Sequence, residues 1–272
     1  MAHTSRFITQ REYDLIRSVG PCTAQRPVVL DLGAGTGPLS VLSALHGCQV
    51  VAFEPEAENA GRLMRNLMDN RVLRNATIYK NALTGERDVY VIHGDPADSG
   101  GSRMVRSQAE HNPENVYSVT LDDFFAYEAR PTALNSDRLI DPNDVNLIFI
   151  DVNGAELPVL YGANTVLQTG TVPYIRMVFR SGPRVTHGGC SVEQFLEHME
   201  LLGYRFMVDG REVPLQALIM WSRAGTPPAP GQVGVEPPDL VTDLWLVHRD
   251  AWVRGAVPKP YFPWRGVNDG AP

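Results

Sequence analysis

The sequence predicts an α/β fold: a mostly parallel sheet flanked by helices, with an antiparallel closing strand and an inserted β-hairpin. Three observations carry this. Apolar runs of strand length alternate with amphipathic helical segments as far as Tyr79. The alternation then lapses, and two strand-like runs, Asp88 to His93 and Val116 to Leu121, follow each other with no helix between them. It resumes at Val145 to Ile150, an apolar run suited to a central strand buried on both faces.

The elements follow in order. Residues 1–26 form an N-terminal extension in which Ile8 to Val19 has the spacing of a short amphipathic helix ending at Gly20-Pro21. Val28 to Leu32 is the first strand, closed by a turn with glycines at Gly33, Gly35 and Gly37. A helix starts at Pro38, with Leu39, Val41, Leu42 and Leu45 as its apolar positions and Gly47 as its stop. Gln49 to Phe53 is the second strand. Ala57 to Met68 is the second helix, with Ala60, Leu63, Met64 and Leu67 at i, i+3, i+4, i+7. Ala76 to Tyr79 is the third strand, ending at Lys80-Asn81-Ala82.

Gly94 to Asn115 reads as a polar loop inside the hairpin. After Val145 to Ile150 a helix runs to about Leu167, with Pro158 in its first turn, where a missing N–H costs nothing. Pro173 to Phe179 is a strand. Ser191 to Leu202 is a helix with a capping box, Ser191 and Gln194, and Gly203 as its stop. Tyr204 to Val208 and Asp243 to His248 close the sheet, separated by a Pro- and Gly-rich loop over Ala224 to Leu240. The reading is a single domain over 27–250 followed by an irregular tail, 251–272.

Bulk properties exclude several classes. The chain has 272 residues, 43% hydrophobic and 20% charged, with a formal net charge of −7. That balance argues against broad binding to nucleic acid, which needs clustered Lys and Arg. Cys22, Cys48 and Cys190 show no disulfide or zinc spacing and read as free thiols. No signal-peptide or membrane-spanning run is present, so the expected location is cytoplasmic. Oligomeric state is not legible.

The chemistry starts at the glycine turn. Glycine adopts positive φ and allows the backbone close to a ligand. The following helix N-terminus offers unpaired N–H groups. Glu54 ends the second strand about 20 residues later, where an acid can take ribose hydroxyls. The spacing Gly33-Ala34-Gly35-Thr36-Gly37 is not the Gly-x-Gly-x-x-Gly of dinucleotide sites, and Asp31 would repel a pyrophosphate. A nicotinamide-dependent oxidoreductase is therefore disfavoured. An acid at position 31 suits a cationic ligand group, or caps the turn through backbone N–H groups.

Asp-x-Gly-x-Gly-x-Gly resembles motif I of class I S-adenosylmethionine-dependent methyltransferases, whose core is a Rossmann-like three-layer sandwich. Phe53-Glu54-Pro55 with Asn59, Leu63, Asn66-Leu67 and Asn70 is similar to a segment of the FkbM family of methyltransferases. Asn81-Ala82-Leu83, Ser99-Gly100-Gly101-Ser102 and Ser118 to Phe124 resemble further boxes of that family, in the same order. Ile150-Asp151-Val152-Asn153-Gly154-Ala155-Glu156, then Val159-Leu160 and Gly162-Ala163, resembles its signature, with Asn153 where glutamate is usual.

The resemblance implies S-adenosyl-L-methionine as cofactor and O-methylation of a sugar, glycan or natural-product hydroxyl. It implies that Asp31, Gly33, Ala34, Gly35 and Gly37 line the cofactor turn. It places Glu54 on the ribose, Pro55 at the adenine edge, and Asn81 and Ala82 beside the adenine. Asp151, at the carboxyl edge of a central strand, becomes the candidate base or acceptor-positioning group, with helix capping as its structural alternative. His187, in a loop after a strand, is a second candidate base. The substitution at Asn153 also leaves open a binding protein that has kept the fold without catalysis. No ligand spacing for a metal is present, and Asp122-Asp123 reads as a helix-start charge pair.

Overall fold

The computed structural model describes residues 28–95, 98–108, 112–128, 140–181, 191–208, 211–224 and 240–250. The N-terminal helix expected over 8–19, His187 and the tail lie outside them. Two sheets organise the rest. The larger runs β11 (Arg211–Val213), β10 (Tyr204–Val208), β12 (Leu240–His248), β9 (Tyr174–Ser181), β8 (Val145–Ile150), β1 (Val28–Leu32), β2 (Gln49–Phe53), β3 (Ala76–Tyr79), and the smaller runs β4 (Ala82–Leu83), β7 (Asn115–Val119), β5 (Val89–Asp95), β6 (Asp98–Arg106).

Strands β1 (Val28–Leu32), β2 (Gln49–Phe53), β3 (Ala76–Tyr79), β8 (Val145–Ile150) and β9 (Tyr174–Ser181) are mutually parallel. β12 (Leu240–His248) runs antiparallel between β9 and β10 (Tyr204–Val208), as expected of the closing strand. All five side chains of β1 are buried, because the strand is covered on both faces. The chain places β2 and β3 on one side of β1 and returns to place β8 on the other. The strand order therefore reverses between β1 and β8, and ligands of open α/β sheets bind at the carboxyl edge of such a reversal.

Helix α1 (Pro38–Leu45) starts with proline in its first turn. Its buried face is Leu39, Ser40, Leu42, Ser43 and Ala44, whereas Leu45 is exposed. Small side chains let the helix lie close to the sheet, and this shifts the face away from the one its leucines suggest. Helix α2 (Ala57–Asp69) buries Ala60, Leu63 and Leu67 and leaves Met64 on the surface, so the inward stripe is narrower than the sequence pattern.

The inserted hairpin is larger than expected. β5 (Val89–Asp95) pairs antiparallel with β6 (Asp98–Arg106), which occupies what reads as loop in the sequence. β5 also pairs with β7 (Asn115–Val119), and β7 runs parallel to the short β4 (Ala82–Leu83). Ladder pairing, not the propensity of a Gly- and Ser-rich segment, makes β6 a strand. β11 (Arg211–Val213) and a helix over Leu215–Ala224 are likewise absent from the sequence reading.

After β7, a short helix α3 (Leu121–Asp123) begins with the Thr120 hydroxyl accepting the Asp123 N–H. The helix expected after Asp151 is two helices, α4 (Glu156–Tyr161) and α5 (Asn164–Gln168). The break falls at Gly162, where any Cβ would stand 2.6 Å from the Thr84 carbonyl oxygen. Asp122 spans this join. Its carboxylate accepts the N–H groups of Thr165 and Val166 at 2.9 and 3.0 Å, capping α5, and its own N–H donates to Gly162 O. The acidic pair thus acts at a helix start, but Asp122 serves a helix more than forty residues on.

Helix α6 (Val192–Leu201) starts at Ser191, whose hydroxyl accepts the Gln194 N–H as expected. Cys48 is disulfide-bonded, which corrects the expectation of a free thiol there; Cys22 and Cys190 lie outside the described residues. No helix among the described residues is long and apolar enough to cross a membrane.

Removing the Asp122 cap leaves two helix N–H groups without their acceptor. Asp122→Ala is expected to lower stability by about 1 to 2 kcal/mol, read as a lower urea midpoint with an unchanged slope.

Candidate active site

At the strand-order reversal, the carboxyl ends of β1 and β8 lie side by side, with Leu32 in register with Ile150. The Asp151 N–H donates to Leu32 O at 3.0 Å, so the pairing continues one residue past the strand. Gly33 follows at φ +82°, and a Cβ there would stand 2.1 Å from the Asp151 carbonyl oxygen. No side chain fits that seam. The glycine turn and the Asp151 segment, far apart in sequence, meet here backbone to backbone.

The turn is held from three sides. Gly33 and Ala34 donate their N–H groups to Phe53 O at 3.0 and 2.9 Å. Asn66, reaching over from α2, donates to Thr36 O at 2.8 Å. Gly37, at φ +86°, is the N-cap of α1. Gly35 differs from Gly33: it has φ +56°, and a Cβ on it would meet nothing within 4 Å. Its bare backbone faces open space, the arrangement a ligand lying against the turn requires.

Two buried acids flank the turn. Asp31, 3% exposed, accepts the hydroxyl of Ser40 at 2.6 Å, and Ser40 itself is fully buried on α1. Glu54, 6% exposed, accepts Gly35 N–H at 2.7 Å through Oε2 and Glu56 N–H at 2.9 Å through Oε1. Burial pushes the Glu54 carboxyl above its ordinary value. The hydrogen bonds from Glu56 and Gly35 oppose that, while the charges of Glu56 and Asp31 add to it. Glu54 is thus tied to the middle glycine of the turn, so strand β2 and the turn move as one piece.

The remaining predicted residues divide. Pro55 follows Glu54, half-buried. Asn81 donates to Tyr117 O at 3.4 Å, and Ala82 is buried in β4 against Ser118. Both therefore anchor the smaller sheet beside the end of β3. A ring cluster of Phe53, Tyr79, Phe124 and Phe125 packs at this end of the sheet, with Phe53 stacked on Tyr79 at 5.2 Å and Phe124 edge-on to both.

Asp151 is half-buried at the edge of β8. The N-cap of α4 is Ala155, which has no side chain able to cap the helix. Asn153, exposed, stands at φ +52°, in the left-handed region that Asn adopts more readily than glutamate does. At this φ the asparagine is under less backbone strain than the glutamate of the resemblance would be. Among the described residues no group of three His, Cys, Asp or Glu side chains is set to hold a metal.

Ser40, Asn66 and Glu156 are the residues to which the sequence reading assigns no role at this site. Asn59, Asn66 and Asn70 of the resemblance are helix braces: Asn59 donates to Glu56 Oε2 and Asn70 to Asn66 O. A serine or asparagine recurring beside a glycine turn is the available signal, but its partner is settled only by the fold.

A family model described as the methyltransferase FkbM domain matches residues 31–206. No curated protein matches the chain. Solved structures resemble it at low identity. A protein described as a candidate rRNA methylase from Clostridium thermocellum shares 10% identity at a TM-score of 0.44, covering 89% of this chain and 97% of its own. A TehB-like SAM-dependent methyltransferase from Corynebacterium glutamicum shares 12% identity at 0.40, covering 88% of each chain. A SAM-dependent O-methyltransferase from Thermotoga maritima shares 14% at 0.41, covering 89% of this chain and 66% of its own.

The seam predicts an asymmetry between two glycines. Gly35→Ala, with space for its methyl, should cost about 1 to 2 kcal/mol for the positive φ alone. Gly33→Ala adds a backbone overlap and should be markedly less stable than Gly35→Ala in thermal unfolding, where equal losses would contradict the seam.

Proposed function

The chain belongs to the FkbM methyltransferase domain family, and from that premise we propose that it binds S-adenosyl-L-methionine and methylates an acceptor hydroxyl on a small molecule or glycan. The observation that carries this reading is the convergence of the glycine turn, Glu54 and Asp151 at the reversal of strand order between β1 and β8. The donor set fits such a cofactor. Gly35 leaves an open cradle, Glu54 offers anionic acceptors suited to ribose hydroxyls, and Asp31 and Asp151 offer anionic groups suited to a cationic ligand. When bound, S-adenosylmethionine supplies an electrophilic methyl on a sulfonium.

The chain's own residues then do three things. The turn from Gly33 to Gly37 presents backbone to the ligand and excludes side chains from the contact. Glu54 holds the ribose hydroxyls and is itself oriented by Gly35 and Glu56, so little ordering remains to be done on binding. Pro55, Asn81 and Ala82 border the adenine end. Asp151, at the edge of β8, orients the acceptor hydroxyl and takes its proton as the methyl is transferred. His187 is the alternative proton acceptor. No base is supplied by Asn153, whose amide takes no proton near neutral pH.

Isothermal titration with S-adenosylmethionine tests the cofactor claim, and no binding at millimolar ligand would sink it. Glu54→Ala should weaken the affinity by about tenfold or more, the loss of a charge-assisted hydrogen bond. The pH dependence follows from the raised Glu54 carboxyl. Ribose binding wants the ionised form, so affinity should fall as pH drops through a value above the ordinary 4.5 of glutamate. The same shift means that folding prefers the protonated acid. Glu54 ionisation therefore costs stability as pH rises through that value. Glu54→Gln should lack this inflection in binding.

A further inference from the structure

Glu156 is the most deeply buried carboxylate among the described residues, 1% exposed, yet the chemistry above does not use it. It is the first residue of α4, where an acid meets the positive end of the helix. Its side chain, however, turns back. Both oxygens lie within hydrogen-bond reach of Gly154 N–H, at 3.1 Å for Oε1 and 3.0 Å for Oε2.

What this clamps is the sharp turn by which the chain leaves β8. Asn153 and Gly154 are consecutive positive-φ residues, at +52° and +102°. Such a pair is poorly populated by an unconstrained chain and persists where its surroundings over-determine it. The turn is fixed at its start by Asp151 N–H on Leu32 O and by the Asp151 carbonyl against Gly33. It is fixed at its end by Glu156 on Gly154. Asp151 lies within this span, so its carboxylate is oriented by a backbone held at both ends.

We infer that Glu156 is a positioning residue, whose buried carboxylate holds the Asn153-Gly154 turn and thereby sets the Asp151 carboxylate against the methyl-transfer site. The inference rests on the reading of Asp151 under the proposed function. A carboxylate suits the task better than an amide, since either oxygen accepts the same N–H, whereas glutamine offers one acceptor and adds a buried donor. Aspartate keeps the charge but is one methylene too short for the reach back to Gly154.

The test uses two readouts on the full chain. Amide hydrogen exchange over 152–155 reads the clamp without any cofactor. It should quicken by about tenfold or more in Glu156→Ala and Glu156→Asp, and stay closer to wild type in Glu156→Gln. The second readout is the ratio of affinities for S-adenosylmethionine and S-adenosylhomocysteine, which differ by the sulfonium charge that a well-placed Asp151 favours. That ratio should fall by about threefold or more in Glu156→Ala and Glu156→Asp, as it does in Asp151→Asn, and recover in Glu156→Gln. Combining Asp151→Asn with Glu156→Asp should lower it no further than Asp151→Asn alone. Unchanged exchange overturns the clamp. Faster exchange with both affinities weakened equally, leaving the ratio at its wild-type value, overturns the positioning role and leaves the cofactor reading intact. Wild type binding neither compound overturns the cofactor reading, and the positioning role falls with it.

Discussion

The contact on which everything else depends is the backbone seam between Gly33 and the Asp151 carbonyl. Two neighbouring parallel strands normally carry their side chains past their ends. Here one of them must carry none, because its next Cβ would fall 2.1 Å from the other's carbonyl oxygen. The hydrogen bond from Asp151 N–H to Leu32 O extends the ladder into the seam and fixes the register of the two loops. The glycine turn is thereby a packing requirement of the sheet as well as part of the candidate site, and both constrain the same atoms.

Around that seam the polar groups are arranged so that each candidate functional acid has a second attachment. Asp31 is held by the Ser40 hydroxyl, Glu54 by two backbone N–H groups, and the Asp151 segment by Glu156 through Gly154. Buried carboxylates are costly unless hydrogen-bonded. The fold meets that cost with donors from its own turns, and the result is a set of acids whose orientation precedes any ligand. Asn66 does the same for a carbonyl, Thr36 O, and ties α2 to the turn.

What was legible in the sequence was what depends on local pattern. β1, β2 and β8 announce themselves as apolar runs, the turn as glycines, and Glu54 by its distance from them. α6 is legible through Ser191 and Gln194. The rest depends on partners remote in sequence. β6 is a strand because β5 lies beside it, although its glycines and serines argue otherwise. Asp122 caps a helix more than forty residues away, a pairing that no local motif encodes. Ser40 and Ser43 occupy the buried face of α1 because the helix sits close to the sheet, whereas hydropathy alone points to Leu45. The break at Gly162 follows from the Thr84 carbonyl, which a helical periodicity ignores.

The β1–β8 pairing has a consequence for the order in which the molecule assembles. Leu32 and Asp151 are more than a hundred residues apart, and the smaller sheet lies between them in the chain. Contacts of such long separation form late, since the loop must close before they are rewarded. A growing chain therefore emerges with its glycine turn complete in sequence but without the carbonyl that shapes it. The first three strands can associate locally while the ligand cradle is still half made. The turn takes its final shape with the return of β8, so that in this chain joining the two halves of the sheet and shaping the candidate site are a single event.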